Sequence, residues 1–441
     1  MNEQGNERNE LKHVVVIGLG YVGLPLALAA CDAGHRVTGI DTDADRIEAL
    51  RNHSTYIDDI TSASIAAATR LTVSTDASGN GPADVVIITV PTPLVDGVPD
   101  LSAVEAASRS AGSLIVSGSL VVLESTSYPG TTEDLMVPIL EAESGLVAGS
   151  DFDVGFSPER IDPGRLDWTL VTTPKLVAGI DERSLDAVDD FYSTIVDVTV
   201  RMAGTREAEM AKLLENTFRH VNIALVNELA ISARALGIDV ADMLDGAATK
   251  PFGFMSFRPG PGVGGHCLPV DPTYLSWQFE RMLGAPTRFI EVANDINRSM
   301  PEHVVKRVQL GLNDRSMAVR GSSILVLGMA YKKNTADCRQ TPALEIIERL
   351  VGLGAAVSVH DNHVDPEAVP DGVDRLDRID TPSVGSFDAV VLVTDHDDVD
   401  YDLVASAAQW VFDSRHRMTG RNVEPLWART SPVWQAPDPT S

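Results

Sequence analysis

The chain has only three cysteines, Cys31, Cys267 and Cys338, spread over 441 residues. An odd and scattered set excludes a disulfide framework and points to a reducing compartment. Positive charge is scarce: 35 Lys and Arg stand against 63 Asp and Glu, a formal net charge of −28. Such a surface repels nucleic acid and anionic membranes, so neither is expected as a partner. It also fails to steer anionic substrates, and any phosphate site then needs its own local cations. The excess acid runs along the whole chain rather than forming a tail. This fits a cytoplasm of very high salt, where screening removes the self-repulsion; full stability in dilute buffer would sink that hypothesis. Long hydrophobic runs are missing too. Met1 to Asn9 carries no apolar core of a signal peptide, and the apolar run Ala111 to Leu123 is short and broken by serine and glycine. No transmembrane helix is expected, and the location expected is cytoplasmic.

What is present is core-forming: 44% of residues are hydrophobic. The length exceeds one domain, so two or three are expected. His13 to Gly18 reads as a buried parallel strand, followed at once by Gly18-Leu-Gly20-Tyr-Val-Gly23 and an apolar helical run to Ala33. A second strand, Arg36 to Ile40, ends at Asp41. Strand, triple-glycine turn, helix and a later acid together form a dinucleotide fingerprint. The glycines permit a tight turn and close approach of a pyrophosphate to the helix N-terminus. Asp41 can bond both ribose hydroxyls and repels a 2′-phosphate, which predicts NAD rather than NADP, although Arg46 nearby pulls the other way. Further core strands, Ala83 to Val90 and Leu120 to Leu123, end close before Thr92 and Thr126. In doubly wound sheets ligands lie beyond the carboxyl ends of the strands, which places both threonines beside the cofactor.

Gly204 and Thr205 mark a boundary, and a helical pattern then runs from Glu207 to about Leu236 without Gly or Pro. A helix of that length either spans between domains or builds a dimer interface. Lys212 and Asn216 share one of its faces at i,i+4 spacing, with Arg219 one turn on. Lys250 to Arg258 leads into Arg258-Pro-Gly-Pro-Gly-Val-Gly-Gly-His266-Cys267-Leu-Pro-Val-Asp271-Pro272. Asp271 and Pro272 resemble the N-cap and first residue of a helix, and a cysteine just before a helix start is biased towards thiolate. The glycines leave room for a substrate against the backbone. A last section opens at Ser322 and repeats strand, loop, helix and strand without the triple-glycine turn. Its loop holds Lys332, Lys333 and Arg339, a local reversal of charge suited to a diphosphate.

A NAD site with a candidate thiolate, a lysine and carboxylates points to oxidation of a primary alcohol through a covalent intermediate. Asp271 or Glu159 would assist hydrolysis of a thioester, and Lys212 with Asn216 would stabilise the oxyanion or move its proton. A two-electron β-hydroxyacid dehydrogenase needs neither Cys267 nor the basic last section, and a non-catalytic NAD sensor needs none of the set.

Several motifs together resemble the UDP-glucose/GDP-mannose dehydrogenase family. They are the Gly18 to Pro25 turn, Val90-Pro-Thr-Pro93, Glu124 to Glu133, Phe156-Ser-Pro-Glu-Arg-Ile-Asp-Pro-Gly164, Ala208 to Arg219, the Cys267 loop and Tyr331-Lys-Lys-Asn334. The resemblance implies an α/β fold, with two Rossmann-like doubly wound domains joined by a helical dimerisation domain. The sections would be 1–204, 205–315 and 316–430, with a disordered tail over 431–441. It implies a homodimer that oxidises C6 of a UDP-sugar with two NAD. By position, Cys267 resembles the nucleophile, Lys212 and Asn216 its lysine and oxyanion partner, and Asp271 and Glu159 the water-handling carboxylates. Gly18, Gly20, Tyr21, Val22, Gly23, Asp41, Arg46, Thr92, Thr126 and Arg339 match cofactor contacts. Arg160, Ile161, Lys212, Asn216, Arg219, Lys250, Arg258, Gly264, Tyr331 and Lys332 match substrate contacts. Within the family, His266 is typical of enzymes for 2-acetamido sugars, and Lys250 to Phe257 is similar to UDP-N-acetylglucosamine 6-dehydrogenases. The N-acetylmannosamine branch usually has His and Arg where Pro251 and Gly253 stand here.

Overall fold

The computed structural model describes residues 11–57, 59–161, 167–265 and 267–427. The expected tail 431–441 and His266 lie outside these. By compactness the chain falls into two units: residues Met1–Glu215 with Thr273–Ala285, and Asn216–Pro272 with Pro286–Ser441. The helical stretch 205–315 is therefore shared out between them. The long helix Thr205–Ala235 begins in the first unit and ends in the second, and the helix Cys267–Leu283 does the reverse.

In the first unit the strands β1 (His13–Ile17), β2 (Arg36–Ile40), β3 (Leu71–Ser74) and β4 (Ala83–Ile88) come first. After them β5 (Leu94–Val95) and β6 (Val98–Pro99) pair only with each other, as a small hairpin. Next come β7 (Ile115–Leu123), β8 (Asp153–Phe156), β9 (Lys175–Gly179) and β10 (Thr199–Arg201). Apart from the hairpin, these strands form one eight-stranded sheet in the order β10-β9-β8-β7-β4-β1-β2-β3, parallel except where β8 meets β9. Every residue of β1 is buried, as a strand covered on both faces requires. The order reverses direction beside β1, which opens a ligand crevice at its carboxyl end.

The second unit repeats this plan. Its strands are β11 (Ser323–Leu327), β12 (Ala356–His360), β13 (Asp374–Arg375), β14 (Ala389–Leu392), β15 (Val411–Asp413) and β16 (Val423–Pro425). They form a six-stranded parallel sheet, β13-β12-β11-β14-β15-β16, whose switch lies beside β11. Helix Pro342–Gly352 has Thr341 as N-cap, its side chain accepting from the Ala343 amide. A core of Val226, Ala230, Met300, Val304, Ile346 and Trp410 packs three helices on this sheet.

One expected start is corrected. Asp271 and Pro272 do not open the cysteine helix; it begins at Cys267 and carries Pro272 inside. Pro269 falls in the first turn, where no intrahelical donor is needed, so only Pro272 removes a helical bond. Cys267 thus belongs to the first turn itself, where the helix dipole favours an anion most.

Candidate active site

In the first unit the glycines are each required for a different reason. Gly18 has φ of 95°, and a Cβ on it would stand 2.8 Å from the Thr89 carbonyl oxygen. A Cβ on Gly23 would stand 1.9 Å from the Gly18 carbonyl oxygen. A Cβ on Gly20 would meet nothing within 4 Å, so that face is open to a ligand. Val22 precedes the helix without capping it by a side chain, and although the Leu24 amide is bonded to the Gly20 carbonyl at 3.1 Å, the positive end of the helix dipole still faces a pyrophosphate placed there. Asp41 Oδ2 accepts from the Leu19 amide at 2.8 Å and Oδ1 from the Asp43 amide at 2.9 Å. Arg46 pairs with Asp41 at 3.4 Å and with Asp43 at 3.3 Å. Its charge is met by two carboxylates, which removes the ambiguity that Arg46 leaves in the sequence. Thr92 Oγ1 donates to the Thr126 carbonyl at 2.8 Å, and Tyr274 donates to the Thr92 carbonyl at 3.0 Å. Tyr21 lies half-exposed on the turn. These groups suit NAD: an open glycine face, an uncapped helix start and an acid at the strand end. Arg339 belongs to the second unit, where its guanidinium grips Asp337 at 2.6 Å.

Beyond β8, Glu159 Oε1 accepts from the Arg160 and Ile161 amides at 2.6 and 2.5 Å. Its Oε2 is buried with no hydrogen-bond partner among the described residues, 3.9 Å from Lys175 Nζ. Lys175 is itself buried and holds Glu124 at 3.1 Å, and Tyr192 donates to the other Glu124 oxygen. Burial pushes the Glu124 carboxyl up against the opposing pull of Lys175. Arg160 is committed to Glu215 at 2.6 Å and to the Pro174 carbonyl at 2.6 Å. Sequence reasoning gives Lys175 no role. Its only signal is a lysine at the head of an otherwise apolar segment, Lys175 to Gly179.

Lys212 is buried on the long helix in the first unit. Asn216 and Asp271 meet in the second unit: Asn216 Nδ2 donates to Asp271 Oδ2 at 2.5 Å, both buried. Arg219 is exposed. Arg258 forms an exposed ion pair with Asp245, and Lys250 lies over the Phe252 ring at 5.0 Å. The glycines of the cysteine loop serve packing rather than open space. A Cβ on Gly264 would stand 2.8 Å from the Gln340 carbonyl, and one on Gly265 would stand 2.7 Å from the Tyr331 ring. The loop therefore lies flat on Tyr331. The positive charge of the basic loop is partly met: Lys333 pairs with Asp397, from the segment after β14, at 3.1 Å, and Arg339 pairs with Asp337 inside the loop.

Comparison with known proteins gives a consistent picture. The NAD binding, central and UDP binding domains of the UDP-glucose/GDP-mannose dehydrogenase family match residues 12–196, 206–299 and 325–420. A UDP-N-acetyl-D-glucosamine 6-dehydrogenase of Pseudomonas aeruginosa is 36% identical, over 87% of this chain and 90% of its own. A UDP-N-acetyl-D-mannosamine dehydrogenase of Pyrococcus horikoshii is 35% identical, over 87% and 89%. A solved UDP-D-ManNAc dehydrogenase structure from Pyrococcus horikoshii superposes with a TM-score of 0.85 at 32% identity, covering 94% of this chain and 99% of that one. No described helix is long and apolar enough to cross a membrane.

Proposed function

The chain belongs to the UDP-glucose/GDP-mannose dehydrogenase family, NAD-dependent oxidoreductases of nucleotide sugars, and on that premise we propose that it oxidises C6 of UDP-N-acetylglucosamine to the uronic acid. NAD, when bound, supplies a two-electron acceptor twice per sugar. Gly20 and the uncapped helix start receive its pyrophosphate, and Asp41 takes a ribose.

The chain's own groups do the rest. After the first oxidation gives the C6 aldehyde, the Cys267 thiolate adds to the carbonyl carbon, and the oxygen becomes an alkoxide that Lys212 and Asn216 stabilise. The second oxidation leaves a thioester on Cys267. Water attacks the thioester, the C–S bond breaks, and the thiolate and a carboxylate are released; Asp271 or Glu159 takes the proton. The observation that carries this reading is Cys267 in the first turn of a helix whose Asp271 is bonded to Asn216. The 2-acetamido assignment rests on His266 and on relatives for both the gluco and the manno epimers. Pro251 and Gly253 favour the first. Phe218, Leu225 and Leu229, all exposed at i, i+7 and i+11 on the long helix, support a homodimer. The scattered cysteines support a cytoplasmic location.

The test is NADH formation with UDP-N-acetylglucosamine, UDP-N-acetylmannosamine and UDP-glucose. The expected result is preference for the first, two NADH per sugar, and loss of uronate formation in Cys267→Ala. A single NADH per sugar overturns the four-electron route. Preference for the manno epimer overturns the substrate alone.

A further inference from the structure

The glycine turn has a counterpart in the second unit. The Gly18 amide donates to the Ile40 carbonyl at 2.7 Å, and the Gly328 amide donates to the His360 carbonyl at 2.9 Å. The Leu19 amide meets Asp41 Oδ2 at 2.8 Å, and the Met329 amide meets Asp361 Oδ2 at 2.7 Å. The Asp43 amide meets Asp41 Oδ1 at 2.9 Å, and the His363 amide meets Asp361 Oδ1 at 2.9 Å. The scaffolds coincide; the partners of the acids do not. Asp361 also accepts from His396 Nε2 at 2.9 Å. Burial alone would push its carboxyl up, but His396 and the Ala330 and Met329 amides hold it well below the usual carboxylate range.

The tautomer of His396 is set by its neighbours. Nδ1 accepts from the Asn334 amide at 2.9 Å, so Nε2 carries the hydrogen given to Asp361. Asn334 sits at φ of 59°, a left-handed conformation that needs support. Its side chain is bonded both ways with Asp397: Nδ2 donates at 2.7 Å and Oδ1 accepts from the Asp397 amide at 3.0 Å. The segment that starts at Met329 and Ala330 on Asp361 thus ends at Asn334 on His396, with Tyr331 and Lys332 held between. His363 stacks on His396 at 4.6 Å and lies 3.3 Å from Asp398. Both His396 nitrogens are already engaged, so this trio is not read as a cation site.

We propose that His396 is a positioning residue for the UDP moiety: it fixes Asn334, and through it the Tyr331–Lys332 turn, in the shape that receives the diphosphate. The proposal rests on the family reading of this unit as the UDP-binding one. A loop fixed before binding loses less entropy on binding, which shows as affinity.

The test is calorimetric titration of the full-length enzyme with UDP, beside steady-state kinetics. His396→Ala is expected to raise the UDP Kd and the sugar KM about tenfold, as loss of a buried hydrogen bond does, with kcat within about twofold and NAD affinity unchanged. His396→Asn puts an acceptor near the Nδ1 position and restores most of the affinity; His396→Gln, which reaches Asp361 instead, does not. This pair decides the matter even where His396→Ala melts early. Equal UDP binding by wild type and all variants overturns the positioning role alone. Failure of the wild type to bind UDP overturns the reading of the unit as well.

Discussion

The two glycine turns, one in each unit, share strand order, backbone geometry and amide-to-acid bonds, yet they handle different chemistry. At Gly18 the chain passes directly into the helix Gly23–Asp32, whose start has no side-chain cap, and Asp41 is paired with the exposed Arg46. At Gly328 the chain leaves in a long loop before Pro342, and the equivalent acid is closed off by His396. The scaffold fixes where a ligand comes. The segment leaving the turn, and the bonds the acid already makes, fix which ligand it is.

The largest test of this likeness is steric. Gly23→Ala and Gly328→Ala each drive a Cβ into a backbone carbonyl, at 1.9 and 2.2 Å. Each should cost more than about 4 kcal/mol or abolish folding of its unit, read by thermal unfolding. Gly20→Ala is the counter-case. It should leave stability within about 0.5 kcal/mol while weakening NAD binding, since its methyl would occupy only the ligand's space.

The next effect separates the units by pH. In the first unit Glu209 is fully buried, accepting from the Gly130 and Thr132 amides, and burial pushes its carboxyl from 4.5 up to about 7. A folded pKa above the unfolded one gives stability that is full below about pH 4.5 and lost as pH rises through about 7. That shift amounts to about 3 kcal/mol. Asp361 in the second unit has the opposite sign: its contribution is present above 3.8 and is lost only in stronger acid. Wild type should therefore lose stability relative to Glu209→Gln as pH rises from about 5 to about 8. Parallel melting curves across that range would contradict this. Smallest is Asp41→Asn, which keeps the Leu19 contact in part and should raise the NAD Kd roughly tenfold, as measured by fluorescence titration. An unchanged Kd would mean that Asp41 serves the turn and not the ribose.

Apolar runs make the inner strands legible: β1 and β4 begin at His13 and Ala83, as the sequence indicates, and β2 falls on Arg36–Ile40. Short or half-polar edge strands such as β10 and β13 leave no such run and escape a reading of the sequence. The start of the cysteine helix misleads because Asp-Pro carries a capping signal, whereas here Asp271 is bonded to Asn216. The glycine turn, Asp41 and Asn216 are readable because their partners are near in sequence or belong to a motif. Lys175 with Glu124 and His396 with Asp361 are not, because 51 and 35 residues separate the partners and only the folded sheets bring them together.

The burial of Lys175 has a practical consequence. Its side chain is 5% exposed and engaged with Glu124, while Lys332, Lys333 and Lys250 lie at or near the surface. Acylating reagents should label the outer lysines within minutes and reach Lys175 only when the first unit opens. The rate of its labelling, read by peptide mass, then becomes an internal clock for the breathing of the cofactor domain. Saturating NAD should slow that clock and leave the outer lysines unchanged.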